Sequence, residues 1–273
     1  MKVILSRKGM DSQSGGIPSP IMPDGTLASL PIPDNTSGVA YADLRYQGQS
    51  YREIIHQLSP HFDFTKKPMC HLDPDIFRDI KGRQDNWKPA FGQCDTSACH
   101  LDKKGVGIGD LFLFYGMFRQ TECGSDGSLK FVRNAPIIHI IYGYMKVGEV
   151  LYNADEIKAY SPQHPHAVNL QRKYNRLYVP AEFGTFHYDE QLVLTKPGQS
   201  SRRLWVLPEF FADPNIEISW QGENHPISKD GDAELNSACR GQEFVITATT
   251  EEAENNLLAW VDCLLQVGTK GGR

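Results

Sequence analysis

Short hydrophobic runs separated by polar, glycine-rich segments recur along the chain and predict a protein built mainly from strands. Residues 1–5 are apolar on both faces, which predicts a central strand. Residues 105–119 (GVGIGDLFLFYGMFR) and 137–151 (IIHIIYGYMKVGEVL) lie on either side of a polar turn and predict a β-hairpin. Further short strands are predicted at residues 176–180, 191–195, 203–206, 216–220 and 243–248.

Two short helices are predicted in the first third of the chain. Residues 50–59 fit a helix in which Ser50 and Glu53 form a capping box. A second helix is predicted directly after the stretch HLDPD, with Asp73 as its N-cap and Pro74 at its first position.

The last helix is predicted over about residues 250–266, where leucines share one face and Thr249 and Glu252 form a capping box. The other segments show few helical patterns. The sequence therefore predicts an α+β fold that is rich in strand, with a few peripheral helices.

The charges of the chain are unevenly distributed. Its 273 residues carry a net charge of −5, and residues 209–256 contain 11 acidic and two basic side chains. Such a segment repels a phosphate backbone, so any nucleic-acid contact is expected within residues 1–208. We therefore predict a main domain over 1–208 and an acidic β/α extension over 209–273 that packs on the same domain.

Cysteine usage and hydropathy indicate an intracellular protein. The six cysteines form no CxxC motif, and the apolar run at the start is too short for a signal peptide. No stretch reaches the roughly 18 apolar residues of a membrane span. We expect a cytoplasmic protein with reduced thiols and no membrane partner. The spacing of Cys70, His71, Cys94, Cys99 and His100 matches no standard zinc pattern, so no metal site is predicted, and no cofactor is indicated.

A long polar loop, SRKGMDSQSGGIPSPIMPDG, occupies residues 6–25 directly after the first strand. Loops of this length are uncommon unless they are functional or disordered. Glycine N–H groups can hold a phosphate, although the usual nucleotide fingerprints are absent. Arg7 is a candidate ligand for phosphate and Asp11 a candidate catalytic base; alternatively, the loop is structural and forms Asx-type turns. The other candidate binding residues here are Ser6, Lys8, Ser12, Gly15, Gly16 and Asp24.

The stretch HLDPD, residues 71–75, places two carboxylates beside a histidine. Such a group can hold a metal ion or perform acid–base catalysis, with Asp73 as a candidate catalytic residue and His71 as a candidate binding residue. The alternative, which we favour, is that Asp73 caps the predicted helix and Asp75 lies in its first turn.

The stretch FGQCDTSACHL, residues 91–101, contains two further candidates. Gln93 can read a base edge through its paired donor and acceptor. His100 is a candidate catalytic residue before the hairpin. A helix start capped by Asp95 or Thr96 fits this stretch equally well.

The hairpin and the segment HPHAVN contain the remaining candidates. Tyr115 and Tyr144 are candidates for stacking a base and Asp110 for reading its edge, although most of these aromatic residues are expected to be core. His164 and His166 would share a face on a strand. With no evident third ligand, proton transfer by His164 and hydrogen bonding by His166 are favoured over metal binding.

These stretches, in this order over about residues 1–208, resemble the nucleotide modification associated domain family, third type. The resemblance rests on the opening loop and on HLDPD, GQCDTSACHL, GDLFLFYGMFR, HIIYGYMKVGEV and HPH…LYVP. It implies a context, the modification of bases in phage and bacterial DNA, rather than a particular reaction. Carried over residue by residue, it points to Ser6, Arg7, Gly9, Asp11, Gly15, Gly16, Asp24, His71, Asp73, Gln93, His100, Asp110, His164 and His166.

The hairpin at residues 105–151 is also similar to that of PUA-like barrels such as EVE and YTH domains. Those domains bind modified bases in an aromatic pocket. This resemblance implies a PUA-like, partly closed barrel with the base near its mouth.

Two functions follow as hypotheses. The first is an enzyme of nucleotide or DNA-base modification, in which the opening loop holds a phosphate and Asp11, Asp73, His100 or His164 transfers protons. The second is a non-catalytic reader that stacks a modified base on Tyr115 and Tyr144 and reads its edge with Gln93 or Asp110. The many titratable groups favour the enzyme. Candidate partners are a nucleotide or base, DNA and other modification-system proteins, the last contacting the acidic segment.

Overall fold

The computed structural model describes residues 1–80, 82, 87–222, 224–238 and 243–268. It is an α+β fold, rich in strand, whose largest sheet curls into a partly closed barrel, as the hydrophobic pattern predicted. In chain order, the strands are β1 (Val3–Arg7), β2 (Ser19–Ile21), β3 (Ile32–Pro33), β4 (Val39–Ala40), β5 (Arg45–Tyr46), β6 (Gln49–Ser50), β7 (Met69–His71), β8 (Phe91–Gln93), β9 (Leu111–Cys123), β10 (Leu129–Phe131), β11 (Ile138–Leu151), β12 (Arg176–Thr185), β13 (Leu204–Pro208), β14 (Ile216–Ile218), β15 (Ile227–Lys229), β16 (Asp232–Asn236) and β17 (Glu243–Ala248).

The largest sheet has the strand order β14-β17-β1-β9-β11-β12-β8, with β2 and β10 also paired to β9. Strand β1 runs parallel to β9 and antiparallel to β17, and its apolar residues are buried. This confirms the central first strand, because a strand covered on both faces reads as a continuous hydrophobic run. Strands β9 and β11 confirm the hairpin. Strand β17 lies beyond residue 208, so the acidic segment contributes to the same sheet; the proposed division at 208 stays a prediction.

Helices cover the periphery of the sheet. In chain order they are α1 (Tyr51–Leu58), α2 (Asp95–Lys103), α3 (Ala154–Tyr160), α4 (Pro165–Val168) and α5 (Glu251–Gly268), with 3₁₀ turns at Glu190–Leu192 and Glu209–Ala212. The capping box of Ser50 and Glu53 is present at α1. At α5 the cap is Thr250 rather than Thr249, since the Thr250 hydroxyl accepts the Ala253 N–H. None of the described helices is long and apolar enough to cross a membrane.

Two predicted elements are wrong. Residues 72–80 contain no helix, because Asp75 instead exchanges backbone hydrogen bonds with Ala90 in extended conformation, and Asp73 uses its carboxylate elsewhere. Residues 191–195 are not a strand. They begin in a 3₁₀ turn and make only isolated bridges, Val193 to Ile140 and Thr195 to Trp205.

The opening loop folds back over the sheet. The Lys8 N–H donates to Tyr115 O at 2.8 Å, which extends the pairing of β1 with β9 by one residue. Gly9 then turns the chain with φ of 80°, and the Met10 N–H donates to Leu30 O at 2.7 Å. Met10 and Leu30 are buried in a second hydrophobic core that includes α1. This packing places the polar residues at the start of the loop beside β7 and β8.

Candidate functional site

Asp73 lies just after β7, and its carboxylate is almost completely buried. Oδ1 accepts the Gly92 N–H from β8 at 2.7 Å. A buried carboxylate requires such partners, because burial without hydrogen bonds destabilises the charged form. Asp73 is therefore fixed by β8 and does not cap a helix.

His71 and His166 face the other oxygen of Asp73. His71 Nε2 is 3.8 Å and His166 Nε2 3.9 Å from Asp73 Oδ2. The two imidazole rings meet edge to face, with centroids 5.4 Å apart. We call these three residues the His–Asp cluster.

Each histidine of the cluster is held through its second ring nitrogen. His71 Nδ1 is 3.1 Å from Asp34 Oδ2, and His166 Nδ1 is 2.7 Å from Asn175 Oδ1. The Asn175 amide nitrogen donates to His166 O at 2.8 Å, which leaves its oxygen to face the ring. Since both partners are acceptors, Nδ1 donates a proton to them in each ring, and Nε2 faces Asp73.

His164 approaches Oδ1 of Asp73, whereas His71 and His166 face Oδ2. It is the N-cap of α4, where its Nδ1 accepts the His166 N–H at 3.3 Å. The proton is thereby left on Nε2, 3.3 Å from Asp73 Oδ1. The prediction that His164 and His166 share the face of a strand is wrong, because Pro165 begins a helix between them. His164 is fully buried, and this candidate catalytic residue does not line the cavity onto which the His–Asp cluster opens.

The charge states follow from these neighbours. Burial lowers the pKa of His166 to about 3, so its ring is neutral at pH 7. Burial raises the pKa of Asp73, but nearby His164, His166 and Lys8 outweigh that effect and hold it below its usual range. The hydrogen bond with His71 likewise lowers the pKa of Asp34. Asp34 and Asp73 are therefore ionised at pH 7, and the His166 ring beside Asp73 is neutral.

Position 92 requires glycine, because a neighbouring side chain packs directly against its backbone. The His166 ring packs directly over the Gly92 backbone, and a Cβ there would overlap with the ring. The same residue donates its N–H to Asp73, so one position of β8 holds two members of the cluster.

The His–Asp cluster opens onto a cavity of about 500 Å³, which we call the reaction cavity. The opening loop contributes Arg7, Lys8 and Asp11 to its wall. Asp11 Oδ1 also accepts the Gln13 and Ser14 N–H groups at 2.8 Å. The loop therefore forms the Asx-type turn of the structural alternative and lines a cavity as well.

The cations of the reaction cavity differ in their pairing. Lys8 Nζ is 3.0 Å from Glu243 Oε1, which also accepts the Gln93 side-chain amide. Arg7 Nε is 4.0 Å from Asp11 Oδ2, a loose contact, and Arg172 donates to Cys94 Sγ at 3.4 Å. Lys8 is thus neutralised by a buried carboxylate, whereas the two guanidinium groups keep donors for a ligand.

A second cavity of about 380 Å³, the aromatic cleft, adjoins the first and shares Asp95 and Thr96 with it. Trp220 and Tyr174 line it and are about half exposed. His100 packs against Trp220 with ring centroids 4.7 Å apart and ring planes tilted by 46°, and its Nε2 is 3.0 Å from Ser219 Oγ. Asp95, Tyr174 and Trp220 have φ of 53°, 52° and 67°. Left-handed backbone is costly for bulky residues, and such strain concentrates at binding sites.

Comparison with known families decides the classification. A family model for nucleotide modification associated domain 3 matches residues 2–247, most of the chain. The protein belongs to that family. It is accordingly a nucleotide modification-associated protein. No curated protein and no solved structure matches the chain.

Within this member of the nucleotide modification associated domain 3 family, several predicted site residues lie outside both cavities. Ser6 is buried in β1, and Tyr115 is buried against Trp205 and Phe244. Tyr144 is half-buried on Phe186. Others serve turns or packing. Asp24 accepts the Thr26 N–H, and Asp110 accepts the Lys2 and Gly107 N–H groups. Ser12 accepts a hydrogen bond from Arg202, Gly15 packs against Met10, and Gly16 turns the chain with φ of 80°.

The sequence did not point to five residues that the site uses. These are Asp34, Arg172, Tyr174, Asn175 and Trp220. Asp34 follows β3 and Asn175 precedes β12, each as a single polar residue at the end of a strand. No periodicity marks such a position. Only Trp220 offered a signal, since it is a large aromatic residue at the end of a predicted strand, directly before a polar segment.

Proposed function

We propose that this nucleotide modification-associated protein is an enzyme that binds a nucleotide across the two adjoining cavities and modifies its base. The nucleotide is either free or part of a DNA strand. The observation that carries the proposal is the convergence of His71, Asp73 and His166 on one open cavity that also contains the guanidinium groups of Arg7 and Arg172. Recognition alone does not need three converging titratable groups, whereas bond-making does.

The phosphate of the nucleotide is assigned to Arg7 and Arg172. Guanidinium groups bind phosphate through paired, charge-assisted hydrogen bonds. Arg7 is already oriented toward the cavity by its contact with Asp11. Among the described residues, Arg172 has no carboxylate within 4.0 Å, so it is free to bind an anion.

The base is assigned to the aromatic cleft. Trp220 and Tyr174 present exposed rings beside Lys103 and Lys173, and stacking on such rings tolerates any base. Because the cleft shares the start of α2 with the reaction cavity, a base held there lies next to the His–Asp cluster. This assignment replaces Tyr115 and Tyr144 as the stacking residues.

Nucleotide binding tests the assignment. Calorimetry with nucleosides, nucleoside monophosphates and short single-stranded oligonucleotides should detect binding that weakens about 10-fold in Trp220→Ala and in Tyr174→Ala. Tyr188→Ala is the matched control, because Tyr188 is also exposed and lies in neither cavity. Equal affinities in all four proteins would contradict the assignment of the base.

Catalysis is tested by product mass. The wild-type protein, incubated with nucleotides and a small-molecule cell extract as source of donor groups, should change the mass of the nucleotide, and Asp73→Asn should not. Binding with no mass change would instead favour the second candidate, a reader of modified bases. The exposed Trp220 and Tyr174 rings support that alternative, since a reader needs the aromatic cleft but not the cluster.

A further inference from the structure

We propose that His71, Asp73 and His166 bind one divalent first-row transition-metal ion whose open coordination positions face the reaction cavity. The sequence predicted no metal site, because the third ligand lies far from the other two along the chain. The inference concerns the cavity assigned to the nucleotide, but metal binding is measured without any nucleotide and does not depend on it.

The ligand atoms are already gathered. One ring nitrogen from each histidine and one carboxylate oxygen all lie within 4.8 Å of one another. Ligands at 2.0–2.2 Å from a shared metal stand about 3.0–3.4 Å apart, so the longest separation in the set needs to shorten by about 1.5 Å. All three side chains line the reaction cavity, which leaves an entry path and room for water or substrate on the metal.

The geometry of the cluster leaves a place for a cation. His71 Nε2 and His166 Nε2 lie 3.8 and 3.9 Å from Asp73 Oδ2, which is longer than a hydrogen bond. The three atoms therefore converge without bonding one another, and a metal ion between them would engage all three. Lys8 does not fill this place, because its Nζ is engaged by Glu243 Oε1 at 3.0 Å.

The outer partners are those of a metal site. Metal-binding histidines usually donate their second N–H to a carboxylate or carbonyl group, which fixes the ring and raises its basicity. Asp34 does this for His71, and Asn175 for His166. Asp73 is held in the same way, because Gly92 and His164 engage Oδ1 and leave Oδ2 for the metal.

The ligand set selects the class of metal. Two imidazoles and one carboxylate suit Zn²⁺, Fe²⁺ or Co²⁺, whereas Mg²⁺ and Ca²⁺ prefer oxygen ligands only. Three protein ligands with open positions are typical of catalytic rather than structural sites. We therefore expect exchangeable binding of one transition-metal ion and no comparable binding of Mg²⁺.

The test uses Co²⁺ as a spectroscopic probe on the full-length protein after dialysis against a chelator. One equivalent of Co²⁺ should give visible absorption bands and saturable binding, and Zn²⁺ and anaerobic Fe²⁺ added in separate titrations should displace it to different extents. His71→Asn, Asp73→Asn and His166→Gln should each abolish the bands. His61→Ala, which removes an exposed histidine, should leave them unchanged. Asp34→Asn should weaken binding about 10- to 100-fold, as loss of an outer partner does.

Circular dichroism identifies any variant that fails to fold. If a ligand variant does not fold, the Co²⁺ affinity of Asp34→Asn against the wild type decides, because Asp34 touches no proposed ligand atom of the metal. Bands that survive in the three ligand variants, or their absence in the folded wild-type protein, would overturn the proposal. A protein that binds metal but no nucleotide would contradict only the proposed function. A protein that binds nucleotide but no metal would contradict only this inference.

Discussion

The protein buries histidines in two regions that share a pKa shift and little else. On β11, His139 packs against the rings of Tyr115 and Trp205, and beside the reaction cavity, His166 lies over Gly92. Burial lowers the pKa of both to about 3. The lone pair of His139 accepts the Trp205 indole N–H at 3.1 Å, whereas that of His166 faces a carboxylate. The lowered pKa therefore reflects burial in both regions. What distinguishes the candidate site is a ring nitrogen that faces a carboxylate instead of a hydrogen-bond donor.

The largest effect should come from exchanging the same residue in the two regions. His166→Gln removes a proposed metal ligand and should weaken Co²⁺ binding by more than the about 100-fold that an outer partner costs. His139→Gln keeps an acceptor for Trp205 and should change Co²⁺ affinity by less than about 2-fold. Titration of both variants measures the difference. Similar losses in the two variants would break the comparison.

A smaller effect is expected from the backbone under His166. Gly92→Ala places a methyl group where the imidazole ring packs, so the ring must move away from Asp73. We expect Co²⁺ affinity to fall about 10-fold or more, as when the orientation of a ligand is lost. Gly107→Ala is the control, because a Cβ there meets no atom within 4 Å. Unchanged affinity in Gly92→Ala would show that the ring position does not matter for the site.

The smallest effect is on stability and concerns His139. Burial, and then the positive charges of Arg202 and Arg7, lower the pKa of His139 to about 3 in the folded protein, and the negative charge of Asp11 offsets this only in part. In the unfolded chain the pKa is about 6.5. Between these values the unfolded chain binds one more proton, so the free energy of unfolding falls as the pH is lowered through this window.

Urea denaturation at several pH values between 6.5 and 4 measures that fall. In His139→Gln it should be shallower by up to about 1.4 kcal/mol per pH unit, because Gln binds no proton. Identical slopes for the variant and the wild type would mean that His139 is protonated in the folded protein.

Much of the fold could be predicted from the sequence because its cause is local. The apolar run of β1 and the paired runs of β9 and β11 report burial directly. The capping box of α1 is a four-residue signal. The helix predicted at Asp73 failed because a local Asp–Pro pattern competes with long-range partners. Gly92 and His164, which hold that carboxylate, are adjacent to it only after β8 and α4 are in place.

The candidate site was predictable in its parts and not in its assembly. HLDPD, HPH and the opening loop were each recognised, and Arg7, Asp11, His71 and Asp73 do share one cavity. Their meeting depends on how β7, β8 and α4 pack, which no motif encodes. The stacking residues were assigned to the hairpin because its aromatic residues are many, yet most of them form the core. The resemblance of the hairpin to PUA-like barrels stays a prediction.

Anomalous X-ray scattering from crystals soaked in Co²⁺ tests the central claim most directly. The account predicts one strong peak in the reaction cavity, about 2.0–2.2 Å from His71 Nε2, His166 Nε2 and Asp73 Oδ2. A well-ordered cavity with no peak between these atoms, in crystals where Co²⁺ binds elsewhere, would contradict it.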